Sequence, residues 1–340
     1  MKRALLRVDF NFPFEYRVLE TLPTIKQVLK RGDMVVLATH LEKNELIPHL
    51  DALAGFLRKF FPSLVFVKGR ITRCPPDFFT KQTSRVFLLD NLRLNRGEAA
   101  NDLGFAKALA SWGDYYVNDA FAVSHREHAS IASLARLLPH ETGLLMKKEI
   151  ENLSKFFKPS HPFLFILGGK KFETKEPLIR RFLKTADAIF VGGAIANTFL
   201  AKRGISVGKS KVEDVKIPKQ ILWSSKIILP EDWAEEKSVI YDVGPKTIKT
   251  LSALAKNAKF VLWNGTLGLC EKGFEYGTKT FAKELGKSKA YKVVGGGDTV
   301  AAIRKFKTEK NFDFISTGGG AMLEFLAKGT LPGIEALKRK

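Results

Sequence analysis

Three features of the sequence predict an α/β fold built as two doubly wound parallel-sheet domains. The chain has 340 residues, more than one core ordinarily organises, and suits two domains of roughly 150 residues each. A recurring unit runs along it: a β-branched or aromatic stretch, a polar or glycine-rich turn, then helical spacing. The residues that follow these stretches change near residue 150, from side-chain donors to clusters of glycine.

Taken in order, the strand-like stretches are ALLRVDF (4–10), MVVLATH (34–40), RVFLLDN (85–91), DYYVNDA (114–120), FLFILGG (163–169), AIFVGGA (188–194), KFVLWNG (259–265), YKVVGGG (291–297) and FDFISTG (312–318). Such alternation with helices implies parallel sheets, whose ligands sit outside the carboxyl ends of the strands. In the first half those ends carry Asp9 and Asn11, His40, Asn91 with Arg93, and Asn118 with Asp119 leading to His125 and Arg126. In the second half they carry Gly168–Gly169, Gly192–Gly193, Gly295–Gly297 and Gly318–Gly320. Between the halves, LLMKKEIENLSKFF (144–157) has helical spacing, so a single helix is expected to join them.

Composition bounds the function. Hydrophobic residues make up 45% and charged residues 27%, the balance of a folded soluble protein. The apolar run FLFIL (163–167) is far too short to span a bilayer, and MKRALLRVDF meets Arg7 and Asp9 before a signal-peptide core forms. A cytoplasmic monomer without membrane contact is expected. Cys74 and Cys270 belong to no Cys-x-x-Cys pair, which argues against a disulfide framework and a thiolate metal site. Lys and Arg number 56 against 35 Asp and Glu, a formal +21 that favours anionic partners. The basic residues are spread along the sequence without a nucleic-acid motif, so no specific nucleic-acid partner is expected.

Backbone N–H groups at a helix start bind phosphate oxygens with the helix dipole behind them, which suits the glycine clusters. Two familiar fingerprints fail. GISVGKS (204–210) has three residues between its glycines where a P-loop requires four, and neither glycine triplet completes G-x-G-x-x-G. Asp298, directly after Gly296 and Gly297, is placed to hold a magnesium ion bridging nucleotide phosphates; its alternative use is a helix N-cap. Lys171 and Lys175 stand four apart and would share a face near the N-terminus of a helix starting there, where cations oppose the dipole unless an anion binds.

The segments RVDFNFP (7–13), THLEK (39–43), DNLRLN (90–95), YVNDAFAVSHREHAS (116–130), LGGKKFETK (167–175), VGGAIANTFL (191–200), DVGPKT (242–247), WNGTLGLCE (263–271), VVGGGDT (293–299), STGGGAMLEFL (316–326) and LPGIEAL (331–337) together resemble phosphoglycerate kinases over nearly the whole chain. The resemblance implies a glycerate-binding domain at 1–150, onto which a tail at 325–340 packs back, and a nucleotide-binding domain at 151–324, hinged about a helix. It implies reversible, magnesium-dependent transfer of a phosphoryl group between 1,3-bisphosphoglycerate and ADP, giving 3-phosphoglycerate and ATP, in glycolysis and gluconeogenesis. A non-catalytic or nucleic-acid-binding descendant is the alternative.

By the same resemblance, Asp9 and Asn11 bind the glycerate, and Arg17, His40, Lys43, Arg93 and Arg126 hold its charged groups. Lys171 and Lys175 contact the nucleotide phosphates and the transferred group, with Asn264 near them. Gly296, Gly297 and Thr299 adjoin the phosphates, and Asp298 is the metal ligand. Glu271 takes the ribose hydroxyls, while Gly168, Gly192 and Gly193 line the adenine pocket. Because the acceptor is already a carboxylate, no general base is needed; Arg17, Lys171, Lys175 and the amides at Gly319 and Gly320 are expected to neutralise the migrating charge. His125 and His128 are expected to be structural. The chain departs from the family where His-Leu-Gly-Arg becomes His40-Leu41-Glu42-Lys43, where Thr266 and Cys270 replace proline and phenylalanine, and in shortened loops after Asn11 and Pro230.

Overall fold

The structure is a computed structural model that describes residues 1–42 and 46–338; Lys43 therefore lies outside the described residues. The chain divides into two compact units, 1–151 with 330–340, and 152–329.

The first unit is a six-stranded parallel sheet of β1 (Arg3–Arg7), β2 (Met34–Ala38), β3 (Val65–Val67), β4 (Val86–Leu89), β5 (Tyr115–Asn118) and β6 (His140–Thr142), in the order β3-β4-β2-β1-β5-β6. Its inner strands are apolar at successive positions because both faces are covered, whereas the edge strand β6 reads His-Glu-Thr. Ala4, Leu6, Val35 and Leu37 pack beneath the helices Phe14–Lys30 and Asp51–Leu57. Leu5, Val36, Phe87 and Tyr116 point to the opposite core with Leu109 and Trp112. The period of two distributes one run between two cores.

The second unit holds β7 (Phe163–Leu167), β8 (Ala188–Val191), β9 (Ile227–Ile228), an antiparallel hairpin of β10 (Trp233–Glu236) and β11 (Val239–Val243), then β12 (Phe260–Asn264), β13 (Tyr291–Gly295) and β14 (Phe314–Ile315). The parallel sheet runs β14-β13-β12-β7-β8-β9, so the winding reverses between β7 and β12. One face packs Ile166, Val261, Trp263 and Val294 against the helices Pro245–Asn257, Tyr276–Leu285 and Gly297–Lys305. On the other face Phe163 and Phe165 meet Phe182, with ring centroids 5.2 and 4.9 Å apart.

Each of the nine strand-like sequence runs overlaps a strand. The edge strands β3, β6 and β9 and the β10–β11 hairpin come only from the structure. The segment 144–157 is an α-helix over Leu144–Ser154 followed by a 3-10 turn, Lys155–Phe157. The helix Gly320–Lys328 stays with the second unit, where Phe325 packs on Phe157 with ring centroids 5.3 Å apart. The chain returns to the first unit from Thr330, later than residue 325. There Gly333 N donates to Ser124 O at 2.8 Å. Among the described residues no helix is long and apolar enough to cross a membrane.

Candidate functional sites

At the switch point of the second unit, the turns leaving β7 and β12 touch. A Cβ on Gly168 would collide with the backbone of Gly265 and Thr266, and one on Gly265 with the backbone of Gly168. Gly168 N also donates to Asn264 O at 2.8 Å. This contact closes the floor of a cavity of about 860 Å³ outside the carboxyl ends of the strands. Its lining includes Gly168, Lys171, Lys175, Gly193, Asn264, Glu271, Gly296, Gly297, Asp298, Thr299, Gly319 and Gly320. Gly192 is not in the lining: it precedes the helix Gly193–Lys202, and a Cβ there would press on Phe190 and Leu267 at 3.0 and 3.3 Å. Its smallness serves packing.

Glycines around the cavity therefore differ in purpose. Gly168, Gly192 and Gly265 avoid protein atoms. Gly297, Gly319 and Gly320 have nothing within 4 Å of an added Cβ, and they open two helices, Gly297–Lys305 and Gly320–Lys328, toward the lumen. Their first-turn N–H groups form the donor surface that suits phosphate.

The lysines arrive differently from the sequence expectation. The helix begins at Glu176, so Lys171 and Lys175 share no helical face; both lie on the loop before it. That loop leaves Lys171 exposed but turns Lys175 inward, where Nζ donates to Asn264 Oδ1 at 2.8 Å. Burial pushes the Lys175 ammonium down to about 8. Asn264 is 2% exposed, and its Nδ2 has no hydrogen-bond partner. A buried amide donor beside a desolvated cation is costly unless a ligand completes it.

Thr299 is buried, and its Oγ1 accepts from Gly265 N at 2.9 Å, tying the β13 turn to the β12 turn. Asp298 is exposed in the first turn of its helix, and among the described residues no group of three or more His, Cys, Asp or Glu could hold a metal ion by itself. Glu271 pairs with Lys170 Nζ at 3.2 Å; its own backbone hydrogen bond and then Lys170 hold its carboxyl below the ordinary value. Sequence reasoning missed the aromatic wall. Trp233 and Tyr241 of the hairpin line the cavity, and Tyr241 stacks on Phe274 with centroids 4.4 Å apart and planes at 12°. Aromatic residues in YDVGP and KGFEYG were the available signal, but only the fold stacks them.

In the first unit, Asp9 and Arg17 form a largely buried ion pair, so the helix Phe14–Lys30 brings its first turns to the end of β1. Burial raises the Asp9 pKa, but Arg17 above all, with Arg7 and the backbone N–H of Asn11, holds it below the ordinary carboxyl value. His40, 3% exposed, is driven down to about 3 by burial and then by Arg7, so it is a neutral imidazole rather than a cation. Arg7 Nη2 lies 3.4 Å from His40 Nδ1; an arginine only donates, which leaves the proton on Nε2. Arg93, half-buried after β4, and the exposed Arg126 after β5 also depress His40. Asn11 Oδ1 accepts from the N–H of Glu42, whose side chain is exposed.

Behind this surface lies a fully buried network absent from the sequence reading. Arg7 Nε donates to Ser130 Oγ at 2.7 Å, Ser130 Oγ donates to Glu98 Oε1 at 2.6 Å, and Arg7 stands 4.0 Å from Glu98. The signal was one arginine inside the apolar stretch ALLRVDF. His128 stands 3.9 Å from Glu98 and is lowered to about 3 by burial and then by Arg93, while Arg126 Nε donates to His125 Nε2 at 3.4 Å.

The fold and the two sites define a doubly wound α/β protein with a donor-rich cavity in one unit and a cationic cluster in the other, both suited to anions. A family model described as phosphoglycerate kinase matches residues 1–329. The phosphoglycerate kinase of Pseudothermotoga lettingae is 38% identical over 389 aligned positions, covering 100% of this chain and 96% of that protein. That of Thermomicrobium roseum is 35% identical over 379 positions, covering 99% and 96%. Among solved structures, phosphoglycerate kinase from Pyrococcus horikoshii superposes with a TM-score of 0.88 at 29% identity, and that from Coxiella burnetii with 0.83 at 32%; each comparison covers 99% of this chain and 96% of the other. The chain belongs to the phosphoglycerate kinase family, phosphotransferases with a carboxyl group as acceptor.

Proposed function

We propose that the chain transfers a phosphoryl group reversibly between 1,3-bisphosphoglycerate and ADP, with the nucleotide in the cavity of the second unit and the glycerate at the cationic cluster of the first. The observation that carries the reading is Lys175 with Asn264: a desolvated ammonium and an unpartnered amide donor beside the open helix starts at Gly297 and Gly320. These groups suit the phosphate chain of a nucleotide. Glu271 accepts from the ribose hydroxyls, and Tyr241, backed by Phe274, forms a wall for the base.

In the direction that consumes ATP, a carboxylate oxygen of 3-phosphoglycerate attacks the γ-phosphorus. The bond from phosphorus to the β,γ-bridging oxygen breaks, and its electron pair leaves with ADP. No proton moves in this step, which agrees with neutral His40 acting as a hydrogen-bond donor. Arg17, oriented by Asp9, together with Lys171, Lys175 and the amides at Gly319 and Gly320, offsets charge on the transferring oxygens. Arg93, Arg126 and Asn11 hold the glycerate, the arginines by forks that match carboxylate and phosphate. Thr299 takes a positioning role through Gly265.

Magnesium fits this donor set as a nucleotide-borne ion. One exposed carboxylate, Asp298, stands where phosphates would supply the other ligands, and magnesium is commonly held through one or two carboxylates with phosphates and water. When bound, it would neutralise phosphate charge. The working form in this reading is a cytoplasmic monomer of 38.0 kDa, which sedimentation would test. Formation of ATP from 1,3-bisphosphoglycerate and MgADP by the purified chain, lost on substituting Lys175, is the direct test. Absence of turnover by a folded wild type would overturn the proposal.

A further inference from the structure

Six exposed lysines far apart in the sequence fall on three neighbouring connections at one edge of the second unit. Residues 152–329 hold 31 of the 56 basic residues and 17 of the 35 acidic ones, a formal +14. Because β12, β13 and β14 are parallel neighbours, their amino ends lie side by side at the edge opposite the cavity. Each is entered from a preceding helix, and each helix end or connection presents exposed lysines: Lys256 and Lys259, Lys283 and Lys289, Lys307 and Lys310. None of these six pairs with a carboxylate among the described residues. Nearby Lys287, Lys305 and Lys292 do, with Glu284, Glu275 and Asp313.

A cation at a helix C-terminus complements the dipole, and one lysine per helix would satisfy that preference. Two lysines without an ion-pair partner at each of three adjoining connections exceed it, with the exposed Glu309 between Lys307 and Lys310 the acid on the third. With strands about 4.8 Å apart and a helix layer about 10 Å away, the ammonium groups share a patch roughly 10–20 Å across. Among the described residues, no exposed large apolar side chain lies on these connections. The edge therefore offers nothing to insert into lipid and no exposed ring for stacking unpaired bases, whereas duplex nucleic acid presents one phosphate charge per about 1.7 Å of axis.

We propose that this edge docks the phosphate backbone of double-stranded nucleic acid, independently of base sequence and apart from the nucleotide cavity. Anisotropy of a labelled 20-base-pair duplex tests it. With about five phosphate contacts, affinity falls roughly 500-fold between 50 and 200 mM salt. The triple variant Lys283→Glu, Lys289→Glu, Lys307→Glu weakens binding at 50 mM at least about tenfold and flattens the salt dependence, with phosphotransfer unchanged. The triple glutamine variant gives a smaller loss in the same direction and serves if charge reversal prevents folding. A charge-matched control, Lys202→Glu, Lys216→Glu, Lys219→Glu, alters exposed lysines elsewhere in this unit and loses much less. Equal losses in edge and control variants would show a diffuse net-charge effect and overturn the proposal. So would no duplex binding at 50 mM salt, displacement of the duplex by saturating MgADP, or binding to phosphatidylserine vesicles without binding to the duplex.

Discussion

Replacing Lys175 with methionine should separate stability from ligand binding. The side chain keeps its length and loses its charge. Burial lowers this ammonium from 10.5 to about 8, so keeping it protonated in the ligand-free fold costs on the order of 3 kcal/mol below pH 8. Methionine removes that cost but leaves Asn264 Oδ1 without its 2.8 Å donor, a loss of about 1–3 kcal/mol. The net change at pH 7 should therefore lie between zero and about 2 kcal/mol of stabilisation. Binding moves the other way: losing a charged donor to phosphate costs about 1.5–3 kcal/mol, or roughly 10–100-fold in ADP affinity. The pH dependence adds a signature. Between about pH 8 and 10.5 the unfolded lysine retains a proton that the folded one has released, so wild type gains stability as pH rises through this window. Methionine abolishes that gain. Urea unfolding from pH 7 to 10, with calorimetric titration of ADP at pH 7, measures both effects. Unchanged ADP affinity, or destabilisation beyond about 3 kcal/mol, would refute the reasoning.

Tyr241→Ala should weaken ADP binding about 5–100-fold, because a base on an aromatic ring contributes about 1–3 kcal/mol, while pyrophosphate binding stays unchanged; equal losses for both ligands would point to a purely structural ring. Asp298→Asn should raise the magnesium concentration needed for half-maximal turnover, whereas Lys171→Ala should lower turnover at every magnesium concentration. Normal kinetics in both variants would remove these residues from the mechanism. Because the candidate residues for the two substrates lie in different units, transfer requires their reacting atoms to come within about 3–3.5 Å, so the radius of gyration should fall only when 3-phosphoglycerate and nucleotide are both present; small-angle scattering that detects no change would count against closure.

Local sequence determined the inner strands, the glycine turns and the family. A buried parallel strand needs a continuous apolar run, and a turn that approaches another backbone or opens toward a ligand excludes a Cβ; both requirements leave marks on consecutive residues. The edge strands β3, β6 and β9, two or three residues long, leave a faint mark; β14 is as short, but the glycine turn after it marks its run. Tertiary structure decided which glycines make room for protein and which open to the cavity, because Gly168 meets residues nearly a hundred positions away whereas Gly297 meets none. It also decided that His40 is neutral, that Arg17 is held by Asp9, and that Lys175 turns inward while Lys171 stays exposed. Charge state and orientation depend on desolvation and on partners brought together across the fold, and a linear pattern records neither.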